Sequence, residues 1–337
     1  MSRMIRFHQF GPAEVLKVEQ VDVPQPGPGE VLVRAEAIGV SWIDVLWRQN
    51  LSTCQTHLPA GLGYEVAGEV LAVGSDVTGL AVGDKVASFI AHSINDYPAY
   101  GEQVLLPQGS LTRYPEQLDA RQAAVHYTAL LTAWFAYVDL ARAQPGESVL
   151  LTDAAHCNGP AMLQLGKALG LKVIAATKDA EDRDDLVALG ADKVIVTEEE
   201  DLVGRIAKIT DGRGVDIILD GLGGPQMCLL GDVLAPRGRL VLYALQGGNN
   251  TPFPACAAFQ KNIQFFVHCL GNFTGKPDLG IPQDREALER ALNAINQLTR
   301  DGLLKTEIGK VFPLDKVVEA HRYMEGCPKD GRVVLVP

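Results

Sequence analysis

Residues 148–170 read Ser-Val-Leu-Leu-Thr-Asp-Ala-Ala-His-Cys-Asn-Gly-Pro-Ala-Met-Leu-Gln-Leu-Gly-Lys-Ala-Leu-Gly. A short apolar run is followed by small and polar residues, and then by apolar residues at helical spacing. Strand, tight turn and helix form the entry unit of a dinucleotide-binding fold. The glycine fingerprint G-x-G-x-x-G falls on Ala154, His156 and Gly159, and only Gly159 is glycine. In such a turn the first glycine makes the bend, the second leaves room for a pyrophosphate, and the third lets helix and strand pack closely. Gly159 suits the third task, and Ala154 is small enough for the first. Pro160 suits the first helical position, where a missing N–H costs nothing. His156 stands where the second glycine belongs, flanked by Cys157 and Asn158. Its bulk opposes close approach of a phosphate, yet an imidazole N–H and an Asn amide are donors to one. Two readings stay open: a modified phosphate contact, or a turn that keeps its shape and no longer binds phosphate.

Around this unit, strands alternate with helices. Strands are expected at 148–152, 172–176, 193–196, 215–219, 239–244 and 263–268, each a short apolar run as for strands covered on both faces. Helices are expected near 160–169, 180–189, 200–209, 225–234 and 254–261, after a longer helix from Gln122 to Ala141. This alternation predicts a parallel, doubly wound six-stranded sheet. The second strand ends Ala175-Ala176-Thr177-Lys178 with no acid at its tip. An acid there would hold the ribose diol of NAD, whereas a base there suits the 2′-phosphate of NADP. Thr177 and Lys178 therefore favour NADPH over NADH. Asp179, Glu181 and Asp182 follow and weaken the signal, and Lys178 also reads as a solvated loop charge. Asp220-Gly221-Leu222-Gly223-Gly224 ends the fourth strand and Tyr243-Ala244-Leu245 the fifth, at the carboxyl edge where ligands bind. Gly221, Tyr243 and Ala244 are accordingly cofactor-site candidates.

Residues 1–125 differ in pattern. Short β-like runs such as 31–38, 67–74 and 84–89 are separated by turn signals, of which Pro24-Gln25-Pro26-Gly27-Pro28-Gly29 is the densest. A partly closed β-barrel is expected. After about residue 270 come a helix (284–302), a strand (308–312), a helix (315–324) and a last strand, Arg332 to Val336. This tail is expected to rejoin the first domain. The predicted division is 1–125 with 270–337 as one discontinuous domain, and 126–269 as the nucleotide-binding domain.

The chain has 337 residues, 47% hydrophobic and 21% charged, an ordinary globular composition whose length favours two domains. A net charge of −11 argues against nucleic acid or an anionic membrane as the main partner. No apolar run reaches the roughly 20 residues of a membrane helix. The N-terminal residues lack the apolar core of a signal peptide. The 6 cysteines show no C-x-x-C spacing, and a reducing cytoplasm is expected.

Nearly end to end, the chain resembles the medium-chain dehydrogenase/reductase superfamily, in its quinone oxidoreductase (zeta-crystallin-like) branch. The resemblance rests on Phe10-Gly11-Pro12-Ala13-Glu14-Val15-Leu16, Gly39-Val40-Ser41-Trp42-Ile43-Asp44, Gly63-Tyr64-Glu65-Val66-Ala67-Gly68, Val82-Gly83-Asp84-Lys85-Val86, Leu131-Thr132-Ala133 and Gly190-Ala191-Asp192. It implies an α/β architecture, a GroES-like β-barrel catalytic domain plus a Rossmann domain, with the active site in the cleft between them. It also implies a homodimer formed through edge strands. Relatives that carry catalytic zinc need Cys and His ligands. Here the matching positions hold Ser41 and Tyr64, and the third falls near 126–130, where His126 stands alone. No zinc is expected, and an alcohol dehydrogenase is disfavoured. The zinc-free branch reduces quinones or electrophilic C=C bonds with NADPH, so a small quinone or enone is the implied substrate.

Matching positions supply the remaining candidates. Ser41 stands where many quinone reductases have Asn, and Asp44 is expected to be structural. Thr132 matches a position near the nicotinamide ribose, and Phe266 and Val267 end the sixth strand beside the nicotinamide. Tyr64, Tyr127 and Tyr100 are candidate hydrogen-bond donors to a substrate oxygen, or else satisfied half-buried tyrosines. The alternative function is a binding or structural homologue on the same fold whose cofactor turn is impaired.

Overall fold

The computed structural model describes residues 1–52, 54–276, 279–326 and 331–337. The chain divides into two units. The first comprises residues 1–128, 271–300 and 306–337, and the second 129–270 and 301–305.

In the first unit, β1 (Ser2–Arg6) and β2 (Lys17–Val21) form a small antiparallel pair. β3 (Glu30–Val40) is the backbone of the larger sheet, pairing with β4 (Val66–Val73), with β6 (Gln103–Pro107) and with the C-terminal strand. β5 (Lys85–Ser88) joins β4 to β7 (Leu111–Arg113). Ile5, Val31, Val33, Ile38, Val70, Val86, Val104 and Leu106 are fully buried at its core. The β-branched residues recur at alternate positions because one face of each strand meets that core. Helix α1 (Trp42–Arg48) follows β3 and starts at a capping box between Ser41 and Asp44.

In the second unit, β8 (Ser148–Leu151), β9 (Lys172–Thr177), β10 (Lys193–Val196), β11 (Val215–Asp220), β12 (Leu234–Leu242) and β13 (Gln264–Val267) form a parallel sheet. Their order is β10-β9-β8-β11-β12-β13, a doubly wound arrangement with its switch point between β8 and β11. Helix α2 (Gly159–Ala168) leaves the β8 turn. The chain then returns to the first unit with helix α3 (Arg285–Arg300), β14 (Ile308–Pro313), helix α4 (Val317–Glu325) and β15 (Arg332–Val336), which pairs with β3.

Two elements differ from the sequence reading. The single helix expected over Gln122–Ala141 is three pieces, Ala120–Ala124, Tyr127–Trp134 and the π-helical Phe135–Leu140. Asp119 caps the first piece by accepting from the Gln122 N–H, which moves its start two residues earlier. β12 begins at Leu234 rather than 239, because Leu234 pairs with Val215 before a register shift brings Arg239 opposite Ile217. Cys54, Cys157, Cys228, Cys256 and Cys269 are thiols, and Cys327 lies outside the described residues.

Candidate active site

In the second unit, the turn after β8 bends through left-handed residues that are not glycine and keeps one glycine of the fingerprint, Gly159. Asp153 and Cys157 take φ of 51° and 49°, the left-handed region that glycine usually supplies. The Ala154 N–H donates to the Ala176 carbonyl at 2.9 Å, which ties the turn to the end of β9. His156 Nδ1 lies 2.7 Å from Asp153 Oδ1, with both side chains mostly buried. Gly159 is required by contact: a Cβ there would lie 2.3 Å from the Ala154 carbonyl oxygen.

α2 begins with Pro160 in its first turn, with no side-chain cap at Asn158 and no acid in that turn. Its leading N–H groups and dipole therefore suit an anion. Across the switch point, buried Asp220 organises the next loop. It accepts from Thr152 Oγ1 at 2.6 Å and from the N–H groups of Leu222 and Gly223 at 3.1 Å each. Burial raises its carboxyl above the usual range, against those hydrogen bonds. Tyr243 stands over Gly221, where a Cβ would come within 2.6 Å of the phenol oxygen. Burial raises the Tyr243 hydroxyl well above its ordinary value, with Asp153 and Asp220 adding to the effect. Its proton is thus retained for hydrogen bonding. Ala244 follows it at the same strand end. An uncapped helix start beside a loop with room only for glycine fits a dinucleotide pyrophosphate. The Asp153 carboxylate is the one element of the turn that opposes it.

The remaining candidates of this unit fall as follows. Thr177 is buried and its hydroxyl donates to Asp182. Lys178 is exposed, with Nζ 3.3 Å from Glu198. Phe266 and Val267 lie on the edge strand β13, and Val267 is 62% exposed. The buried Thr132 carbonyl lies 3.1 Å from His268 Nε2, and burial lowers that imidazole to about 4.

In the first unit, Ser41 is half-buried at the N-cap of α1, and its N–H and hydroxyl both donate to Asp44 Oδ2 at 2.9 Å. The Tyr100 hydroxyl donates to the same oxygen at 3.1 Å. Tyr64 is half-buried, its ring centroid 5.2 Å from that of His92, and its carbonyl accepts from Ser88 Oγ at 2.6 Å. Tyr127 is fully buried and donates to Asn296 Oδ1 at 2.6 Å. His126 places its two ring nitrogens 2.7 Å from Thr306 Oγ1 and 2.9 Å from Thr299 Oγ1. With Ser41 and Tyr64 as hydroxyls and His126 so engaged, these residues do not fit a zinc ion. Among the described residues no cluster of three His, Cys, Asp or Glu side chains is arranged to hold a metal.

Sequence reasoning missed the Asp153–His156 pair and the gathering of Ser41, Tyr100 and Asp44. The i,i+3 spacing within the turn was the available signal for the first. In the second, the Ser41-x-x-Asp44 spacing of a capping box was legible, but Tyr100 lies 56 positions away from Asp44 and gave no signal.

Comparison with known proteins completes the picture. Residues 27–115 match the alcohol dehydrogenase GroES-like domain family, and residues 189–335 the zinc-binding dehydrogenase family. A quinone oxidoreductase of Pseudomonas aeruginosa is 31% identical over 338 residues, covering 100% of each chain. A 2-haloacrylate reductase of a Burkholderia species is 28% identical, covering 98% of this chain and 97% of its own. The structure of Escherichia coli quinone oxidoreductase complexed with NADPH superposes with a TM-score of 0.87 at 28% identity, covering 99% of this chain and 100% of that one.

Proposed function

The chain belongs to the medium-chain dehydrogenase/reductase superfamily, on its zinc-independent quinone oxidoreductase branch, and from that premise we propose that this NAD(P)H-dependent oxidoreductase uses NADPH to reduce quinones or α,β-unsaturated carbonyls. The observation that carries the proposal is the uncapped, acid-free start of α2 beside the Gly221 loop. The nicotinamide, when bound, supplies a hydride. The work of the chain is to bind, orient and protonate.

The N–H groups at the start of α2, with His156, Cys157 and Asn158, receive the pyrophosphate. Gly159 keeps helix and strand close. Gly221 leaves room along the strand edge, and the Tyr243 hydroxyl donates to the cofactor there. Thr177 and Lys178 face the adenosine ribose; the tip of β9 itself carries no acid, and Lys178, although paired with Glu198, is the base offered to a 2′-phosphate. Thr132, Phe266 and Val267 flank the nicotinamide end. Ser41 and Tyr64 address the substrate oxygen, since hydroxyls occupy the positions that hold metal ligands in zinc-bearing relatives. No step passes through a metal.

Titration with NADPH and NADH, followed by cofactor fluorescence, tests the reading. NADPH binds more tightly than NADH, and a panel of quinones and enones is then turned over. Absence of binding by either at millimolar concentration refutes it. It would favour the second reading, a binding homologue with an impaired turn, for which the Asp153 carboxylate is the specific support. The exposed edge of β13 supports a homodimer formed by pairing of that strand with its copy, and sedimentation analysis decides it. No described helix is long and apolar enough to cross a membrane.

A further inference from the structure

Asp44 is bonded in an unequal way. Its Oδ2 accepts from the Ser41 N–H and Ser41 Oγ at 2.9 Å each and from the Tyr100 hydroxyl at 3.1 Å. Its Oδ1 is buried and has no hydrogen-bond partner among the described residues. The residue is 1% exposed. A buried carboxylate with one bare oxygen bears a desolvation cost that a proton relieves.

The charges facing it do not compensate. Glu65, itself bonded to Arg332 at 2.7 Å, is a second carboxylate nearby and favours the protonated form. Arg48, on the same helix, is fully buried but committed to Glu325 and to the Gly11 carbonyl. His321, on α4, stands edge-on to the Tyr100 ring at 5.9 Å, and burial lowers it to about 3, so it is neutral. Burial, with Glu65 adding to it, pushes the Asp44 carboxyl up to about 7, against the hydrogen bonds from Ser41 and Tyr100. That value is suited to an acid that works near neutral pH. Ser41 bridges this interior group to a half-buried position.

We infer that Asp44 is the proton reservoir of the reduction and that Ser41 is the group that hands its proton to the substrate. The inference rests on the reductase reading above. With an enone, the hydride and its electron pair form a new C–H bond at the β-carbon, and the C=C electrons move toward the carbonyl to leave an enolate. The enolate then takes the Ser41 hydroxyl proton. In the protonated form the Ser41–Asp44 hydrogen bond is reversed, Oδ2–H donating to Ser41 Oγ and freeing the serine O–H for the substrate. As the serine O–H bond breaks, the Oδ2 proton passes to Ser41 Oγ, and Asp44 is left as the carboxylate, accepting again from Ser41. One proton from solvent restores the carboxyl. Each turnover thus adds one hydride and one proton to the substrate. Asp44 acts through Ser41 and is a positioning and proton-supplying residue, not one that touches substrate.

Asp44→Asn, Ser41→Ala and Ser41→Thr test the relay. For the wild type, kcat with an enone is constant at low pH and falls tenfold per unit above about 7. Asp44→Asn loses that limb, and its kcat at pH 6 drops by about 10²-fold, a typical general-acid contribution, while its NADPH dissociation constant stays within about twofold. Ser41→Ala shows the same loss, and Ser41→Thr restores the pH profile. An Asp44→Asn enzyme that keeps the wild-type limb overturns the relay. So does one that loses NADPH affinity and activity together, because capping of α1 then accounts for the effect. If the wild type binds no cofactor, the reductase reading has failed on its own. The relay is then judged by infrared titration: a protonated-carboxyl stretch with a midpoint near 7 sustains the Asp44 proton, and its absence refutes it.

Discussion

Gly159→Ala tests the claim that the cofactor turn is held by contact rather than by glycine flexibility. Gly159 does not have a positive φ, so backbone freedom is not what the position requires. The constraint is space: a Cβ would lie 2.3 Å from the Ala154 oxygen, 2.5 Å from its carbonyl carbon and 2.7 Å from the Asp153 oxygen. All three are backbone atoms, and none can swing aside as a side chain would. Relief requires α2 to move away from the turn, or the turn to open and release the Ala154 N–H from the Ala176 carbonyl. Overpacking of this kind costs about 3 kcal/mol, the upper end for one added carbon. That cost corresponds to a rise of about 100-fold in the local opening equilibrium, and so to a fall of about 100-fold in exchange protection. Amide hydrogen exchange of Ser148–Leu151 and of the first turns of α2, read by mass spectrometry, measures it directly. The control is Gly146→Ala, where φ is 88° and a Cβ meets nothing within 4 Å. Only left-handed strain of about 1 kcal/mol is expected there. Protection of Ser148–Leu151 in Gly159→Ala within threefold of wild type refutes the reasoning.

Further expectations concern single side chains and pH. Tyr127→Phe removes the hydrogen bond to Asn296 from a fully buried site, so it costs about 1–2 kcal/mol by urea denaturation and leaves turnover unchanged. A large loss of kcat would return Tyr127 to the catalytic set. Lys178→Ala leaves stability unaltered, because the Glu198 pair is solvent-exposed. If Lys178 meets a 2′-phosphate, the variant binds NADPH about tenfold more weakly at unchanged NADH affinity, the loss of one charge-assisted contact. Equal effects on both cofactors refute that role. Burial holds His92, His126 and His321 of the first unit at about 3, below their ordinary value of about 6.5. Unfolding therefore takes up protons on these groups between those values, and stability rises with pH across that window and is lost on acidification. Asp44, raised to about 7, opposes them, since its folded form holds a proton that the unfolded chain releases. Three histidines against one aspartate leave the first unit less stable at pH 4 than at pH 6. A urea midpoint that is flat or rising on acidification contradicts the burial assigned to these rings.

How much of this could be read in the chain depends on the range of the interaction. The sheet order β10-β9-β8-β11-β12-β13 was legible because each strand is a short apolar run and each crossover a helix, both local patterns. The start of β12 was not. Pro236-Arg237-Gly238 reads as a turn, and only the partner strand, with Val215 opposite Leu234 and Ile217 opposite Arg239, reveals a bulged strand running through it. The engagement of His126 was hidden for the same reason, since Thr299 and Thr306 lie more than 170 positions away.

The turn itself is the instructive case. A fingerprint scores each position for glycine separately, and by that count two of three are lost. The structure couples them. The left-handed conformations are carried by Asp153 and Cys157, positions the fingerprint does not weigh, at a cost of about 1–2 kcal/mol each. The Asp153–His156 contact at 2.7 Å spans both the first and second glycine positions and opposes that strain. The same contact sets the carboxylate of Asp153 beside the imidazole, in the turn proposed above to receive the pyrophosphate. His156 thus holds the left-handed Asp153 in place and, with it, a carboxylate in the turn proposed to meet the cofactor. Replacing it by glycine alone would leave Asp153 without this contact and with its negative charge, so cofactor affinity falls rather than improves. Asp153→Ser together with His156→Gly removes the charge and the bulk at once, and it binds NADPH more tightly than either single variant. Affinity in the double variant no better than in His156→Gly would show that the Asp153 carboxylate does not oppose the cofactor.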